Sequence, residues 1–183
     1  MICCVTGHRS KGFPFERKDS IEYGIYMETL RFEIETLIMQ GYDHFISGMA
    51  EGADIDFAEV VAYYRDMFFN ITLEAALPYP KRPTMKSSEY LDDLYFVLED
   101  CDTVGTISDH YFKGCMQKRN RYMVDKSDLI LAIWNGECAG GTWDTIKYAR
   151  SKGKSIRYIM LRDINDKLLE SKEFDYLLRD SDD

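Results

Sequence analysis

A glycine-rich stretch with the sequence NGECAGGT, residues 135–142, follows an unbroken apolar run over residues 128–134. It places Gly140, Gly141 and Thr142 at the start of a predicted helix. Small residues let a ligand approach the backbone closely, and the free amides of a helix N-terminus suit anions. The pattern predicts a phosphate-binding loop in which Thr142 adds a hydroxyl group. The alternative is a plain turn after a core strand.

A second candidate loop follows the first apolar run, where the sequence reads TGHRSKG. Gly7 allows a tight turn directly beyond a buried strand, and His8 adds a titratable ring. Arg9 adds a fork of N–H donors that matches phosphate or carboxylate. An ordinary surface loop explains these residues equally well when they are taken alone.

A third loop, SGMAEGAD at residues 47–54, leads from a short strand into a helix. Ser47 and Gly48 begin it, and Asp54 stands at the helix entrance, where free N–H groups suit an anion. Helix capping by Ser or Asp is the simpler alternative. Asp54 has two further possible roles, which are to hold a ribose hydroxyl or to orient Arg9.

The helix predicted over residues 114–126 carries Met116, Arg119, Asn120 and Met123 on one stripe. The methionines indicate that this stripe faces inward, and a buried arginine requires an anion or an acid as partner. The alternative is a solvated basic face. Trp134, which ends the apolar run, is a candidate for stacking on a base, although core packing is the commoner fate of tryptophan.

These loops are positioned by alternating strands and helices. The predicted strands cover residues 2–6, 44–47, 71–77, 102–108, 128–134 and 155–161. The predicted helices cover residues 22–40, 53–65, 84–99, 114–126 and 142–151. Such alternation predicts an α/β fold of the doubly wound, Rossmann-like type, with a mainly parallel sheet and helices on both faces. Ligands bind beyond the carboxyl ends of such strands, which is where the unusual residues fall.

Composition narrows the classes of function. A chain of 183 residues with a net charge of −9 is expected to be one globular domain that does not bind nucleic acid through broad phosphate contacts. Residues 1–160 are predicted to form the binding domain, and residues 161–183 an acidic extension of it. The five cysteines are expected to be free thiols, with no metal site. The chain is expected to be cytoplasmic, without a membrane segment.

Three segments together resemble the YpsA-like proteins of the SLOG superfamily, which is related to the lysine-decarboxylase-like phosphoribohydrolases and to DNA-processing protein A. They are VTGHR, SGMAEGADIDFAE and KRNRYMVDKSDLILAIWNGECAGGTWDTIKYA. The resemblance implies a nucleotide or nucleotide-derived ligand, a homo-oligomer and no further cofactor. It assigns ligand contacts to Gly7, Arg9, Ser47, Gly48, Asp54, Arg119, Asn120, Gly140, Gly141 and Thr142.

The phosphoribohydrolases place a catalytic Glu three residues after the Thr of this loop. Here that residue is Thr145, and Asp144 is off the register by one, a turn of about 100° on a helix. We therefore expect a protein that binds or senses its ligand. The alternatives are an N-glycosidic hydrolase that uses Asp54, Glu137 or Asp144, and a regulator of bacterial cell division, as the resemblance implies.

Overall fold

The computed structural model describes residues 1–67, 70–80 and 88–164. The strands are β1 (Ile2–Gly7), β2 (His44–Ser47), β3 (Thr72–Leu77), β4 (Thr103–Thr106), β5 (Leu129–Trp134) and β6 (Ser155–Met160). The helices are α1 (Ile21–Met39), α2 (Ala53–Met67), α3 (Ser88–Glu99), α4 (Cys115–Lys126) and α5 (Gly140–Ser151). The predicted start of the third helix at residue 84, and most of the predicted acidic extension, lie outside the described residues.

All six strands are parallel and follow the order β4-β3-β2-β1-β5-β6. The predicted α/β, Rossmann-like architecture is therefore confirmed. From β1 the chain moves outward through β2, β3 and β4, and then returns to the other side of β1. The strand order reverses between β1 and β5, where Gly7 is paired with Ile133. This reversal creates the crevice that doubly wound sheets use for ligands.

One face of the sheet packs against α1, α2 and α3 and contains the larger hydrophobic core. The sequence of α1 explains its packing, because Tyr26, Leu30, Ile34 and Leu37 recur at helical spacing and are all fully buried. In β1, Cys3 belongs to this core.

The other face packs against α4 and α5 around a smaller core that includes Cys4, Ile46, Met123 and Ala149. Cys3 and Cys4 lie in different cores because successive strand residues point to opposite faces. Both are free thiols, as predicted, and burial raises the pKa of Cys4 to about 12.

Most elements begin or end one or two residues from their predicted bounds, and two of these differences concern α5 and β4. Helix α5 begins at Gly140, two residues earlier than expected, because Gly140 adopts a φ of +78° and turns the chain directly into the helix. Strand β4 is shorter than predicted, since it lies at the sheet edge and pairs with β3 alone. None of the helices in the described ranges has the length and apolar composition needed to cross a membrane.

Candidate functional site

A cavity of about 310 Å³ lies at the point where the strand order reverses. Eight residues predicted from the sequence line it: Gly7, His8, Arg9, Asp54, Arg119, Asn120, Gly141 and Thr142. The structure brings these residues together because they follow β1, begin α2 and α5, or lie on α4, all at the carboxyl edge of the sheet. Ser47, Gly48, Trp134 and Gly140 are not among the residues that line the cavity.

Two helices, α2 and α5, contact the end of β1 at Gly7. A Cβ atom at Gly7 would lie 2.3 Å from Cβ of Ala53, so α2 can approach only a glycine here. The backbone N–H of Ala53 donates to the carbonyl of His8 at 3.1 Å. Thr142 donates its hydroxyl to the carbonyl of Gly7 at 2.9 Å. This hydrogen bond therefore links α5 to β1, whereas the sequence analysis predicts that the Thr142 hydroxyl contacts a ligand.

Arg119 is only 5% exposed, in agreement with the predicted inward stripe of α4. Its Nη1 lies 3.3 Å from Oδ2 of Asp54, which also accepts the N–H of Ala50 at 3.2 Å. Gly48 makes room for this pair, since a Cβ there would lie 1.2 Å from Nη1 of Arg119. Ser47 donates its hydroxyl to the carbonyl of Asp54 at 2.7 Å. Asp54 thus pairs with Arg119, and Ser47 and Gly48 support that ion pair.

The first turn of α5 presents free backbone amides to the cavity. No side chain in the part of the chain that the structure describes caps this helix end, and a Cβ at Gly141 would meet no atom within 4 Å. Arg9, an exposed residue on the cavity wall, forms no ion pair with any residue that the structure describes. A helix N-terminus and a nearby guanidinium both attract negative charge. The open end of the cavity is therefore suited to an anion.

His8 lies half-buried in the cavity wall, and its Nε2 has no hydrogen-bond partner among the described residues. Burial lowers its pKa below the ordinary histidine value, although Asn135 and the charge of Glu137 act in the opposite direction. The lowered pKa favours the neutral imidazole, in which one ring nitrogen is a donor and the other an acceptor.

The residue in the register of the catalytic Glu is already held by hydrogen bonds. Asn120 donates its side-chain amide to the hydroxyl of Thr145 at 2.8 Å, and Thr145 donates to the carbonyl of Gly141 at 2.8 Å. Asp144 is exposed and pairs with Lys147 at 2.9 Å. Among the described residues, Asp54 is the one carboxylate that lines the cavity.

Trp134 stacks on Trp143, with ring centroids 5.5 Å apart and an interplanar angle of 8°. Its indole N–H donates to the carbonyl of Glu137 at 2.9 Å. These contacts engage one face of the ring and its N–H donor at a position beside the cavity, and base stacking on Trp134 stays a prediction.

The sequence analysis did not predict a buried polar cluster around Asp56. Asp56 is 1% exposed and accepts hydrogen bonds from Arg17, Tyr23 and Tyr26, with Tyr23 at 2.9 Å and Tyr26 at 3.2 Å. The two tyrosines belong to the apolar stripe of α1, and an acid in the first turn of a helix is ordinary, so no local signal indicated the cluster. Thr6, Gly12 and Ala50, which also line the cavity, were missed because their side chains have no distinctive chemistry.

Comparison with known proteins agrees with this architecture. The model of the YspA SLOG family matches residues 3–164. A UPF0398 protein of Bacillus cereus (strain G9842) is 21% identical over 159 residues, which cover 86% of each chain. A UPF0398 protein of Bacillus thuringiensis (strain Al Hakam) is 21% identical over 177 residues, 93% of this chain and 96% of its own. Because the family model spans nearly the whole described fold, the chain belongs to the YspA SLOG family, the YpsA-like group that its motifs resemble.

Proposed function

We propose that the cavity binds the phosphate of a nucleotide or nucleotide-derived ligand. The observation that carries this proposal is the first turn of α5, whose Gly141 and Thr142 face the same cavity as Arg9, with no side-chain cap and no ion pair to Arg9 among the described residues. A volume of about 310 Å³ is at the lower end of the range of about 300–1,000 Å³ that is usual for small-ligand sites.

The charges around the cavity assign separate roles to its two arginines. Arg119 is paired with Asp54, whereas Arg9 forms no ion pair with a described residue. Arg9 and the amides of α5 therefore supply the attraction for a phosphate.

Binding or sensing is better supported than hydrolysis. A glycosidase needs a carboxyl group that can donate or accept a proton at the scissile bond. Among the described residues, the only carboxylate that lines the cavity is Asp54, and the guanidinium of Arg119 already engages it. Thr145 occupies the register of the catalytic Glu and is engaged by Asn120.

Substitution of Gly141 tests the proposal with a matched pair of variants. Gly141→Asp places a negative charge at the helix N-terminus without a steric clash, since the space around its Cβ is open. An acidic residue there favours the helix, so the variant is expected to fold. We expect its Kd for ADP to rise by at least about tenfold, whereas the neutral isostere Gly141→Asn changes it by less than about threefold.

The measurement is titration with AMP and ADP, followed by thermal shift and by the fluorescence of the two tryptophans, Trp134 and Trp143. Trp143 lies in the first turn of α5 and reports on this site directly. A ligand that binds the folded state raises the Tm by mass action. The proposal is wrong if neither nucleotide raises the Tm of the native protein, or if Gly141→Asp binds as tightly as Gly141→Asn.

A further inference from the structure

A second cavity, which we call the α4–α5 groove, runs between these two helices and has a volume of about 440 Å³. It shares Met116, Asn120 and Gly141 with the first cavity, so the two spaces adjoin at the N-terminus of α5. A ligand whose phosphate lies at Gly141 therefore has a second space directly beside it. Phosphate binding in the first cavity does not require this groove, and the sequence analysis did not predict the groove.

The groove presents a fixed aromatic ring and a cation without an acidic partner. The hydroxyl of Tyr148 donates to both oxygens of Asp125, at 2.9 and 3.1 Å, which holds the ring in place. The guanidinium of Arg121 lies 5.2 Å from the centre of that ring. Arg121 is exposed and forms no ion pair with a carboxylate in the part of the chain that the structure describes. Lys147, also on the groove wall, is paired with Asp144.

The spacing along α5 sets the length of a ligand that uses both cavities. Gly141 and Tyr148 are seven residues apart on one helix, which corresponds to a rise of about 10 Å. A single phosphate cannot contact both positions. A planar ring can stack on the exposed guanidinium of Arg121, which Tyr148 supports from beneath, because guanidinium groups stack on bases.

We propose that the α4–α5 groove binds the second nucleoside of a dinucleotide-type ligand whose pyrophosphate lies at Gly141. This inference rests on the proposed function and specifies the ligand class. The pyrophosphate is held by Arg9 and the amides of α5, and the distal base stacks on the guanidinium of Arg121, which itself lies over the ring of Tyr148. A mononucleotide fills only the first cavity and binds more weakly.

Isothermal titration with AMP, ADP and diadenosine diphosphate tests the inference, because these ligands differ only in the second phosphate and the second adenosine. The native protein is expected to bind diadenosine diphosphate at least about tenfold more tightly than ADP. Arg121→Glu is expected to remove most of that advantage and to change the Kd of AMP by less than about threefold.

Arg150→Glu is the matched control. Arg150 is also exposed and also lies over an aromatic ring, that of Trp143 at 5.4 Å, but it lines neither cavity. Arg150→Glu changes the net charge by the same amount as Arg121→Glu, but on α5 instead of α4. We expect it to leave the ratio of the Kd values for ADP and diadenosine diphosphate unchanged. If Arg150→Glu lowers that ratio as much as Arg121→Glu does, general electrostatics explains the effect and the groove is not the site.

The remaining outcomes separate this inference from the proposed function. If ADP and diadenosine diphosphate bind equally and both lose affinity in Gly141→Asp, the phosphate site stands and the groove assignment is wrong. If no nucleotide binds, both are wrong. Sedimentation of the native protein and of Arg121→Glu tests whether a second copy of the chain fills the groove. A dimer that this substitution dissociates would show that it does.

Discussion

The face of the sheet under α1, α2 and α3 buries large apolar side chains such as Leu30, Phe45 and Phe57. The face under α4 and α5 has a smaller apolar core, and its helices also bury polar groups, among them Arg119 and Thr145. Both faces cover the same six strands. The larger apolar burial on the first face indicates that it supplies most of the stability, because that stability scales with the apolar area removed from water.

The two faces also contribute differently to the two cavities described above. The helices α4 and α5 line both the cavity at the strand reversal and the α4–α5 groove. Helix α2 contributes Asp54 to the first of them, and its Asp56 lies in the buried polar cluster with Arg17, Tyr23 and Tyr26. The comparison indicates that the α4–α5 face contributes more residues to these two cavities, while the α1–α3 face contains the larger apolar core.

The largest predicted effect tests the first face. Phe57 is fully buried and lies against Phe45, with centroids 6.1 Å apart, so Phe57→Ala leaves a cavity. We expect it to lower the free energy of unfolding by about 3–5 kcal/mol, and Met123→Ala on the other face by about 2 kcal/mol. Urea denaturation measures both, with the exposed Phe32→Ala as the control at less than about 0.5 kcal/mol. Equal losses of unfolding free energy for Phe57→Ala and Met123→Ala would contradict the inference that the first face supplies most of the stability.

An intermediate effect is expected at the buried ion pair between the faces. Arg119→Met removes the guanidinium that faces the buried Asp54 carboxylate, so we expect a loss of about 3 kcal/mol. Adding Asp54→Asn removes the buried negative charge and is expected to restore part of that stability. A double-mutant cycle by urea denaturation measures the coupling. Purely additive losses would show that the two side chains do not depend on each other.

The smallest predicted effect concerns Glu74, a buried acid on the α4 side of β3. Burial raises its pKa, but hydrogen bonds from Tyr122 at 2.6 Å and His44 at 3.1 Å, and the charge of Lys126, outweigh burial and lower the pKa below its ordinary value. The folded state thus favours the ionised form. Its contribution is fully present above the ordinary pKa and is lost as the pH falls through the lowered one.

Glu74→Gln is therefore expected to reduce stability by about 1 kcal/mol at pH 7, and by progressively less as the pH falls below about 4.5. Urea midpoints at several pH values provide the measurement. Glu28→Gln is the control, because Glu28 is 73% exposed. If the difference in unfolding free energy between the native protein and Glu74→Gln stays constant as the pH falls, the lowered pKa of Glu74 is contradicted.

Much of the site was predictable because parallel strands end at one edge. Once the alternation of strands and helices is recognised, residues that follow β1 and β5 must lie near one another, as Gly7 and Gly141 do. The inward orientation of Arg119 followed from the methionines at helical spacing. The stacking of Trp134 on Trp143 was not predictable, since it depends on the exact rotation of α5 over the end of β5.

The amino-acid sequence by itself determined the order of elements, the buried face of each helix and the glycines that allow close approach, because these depend on local periodicity and backbone sterics. Only the tertiary structure decided which polar groups pair. Asp54 meets Arg119 across 65 positions of sequence, and the α4–α5 groove is lined by residues of two helices that pack on one face of the sheet. Contacts over such separations depend on how helices dock on the sheet, which no local pattern specifies.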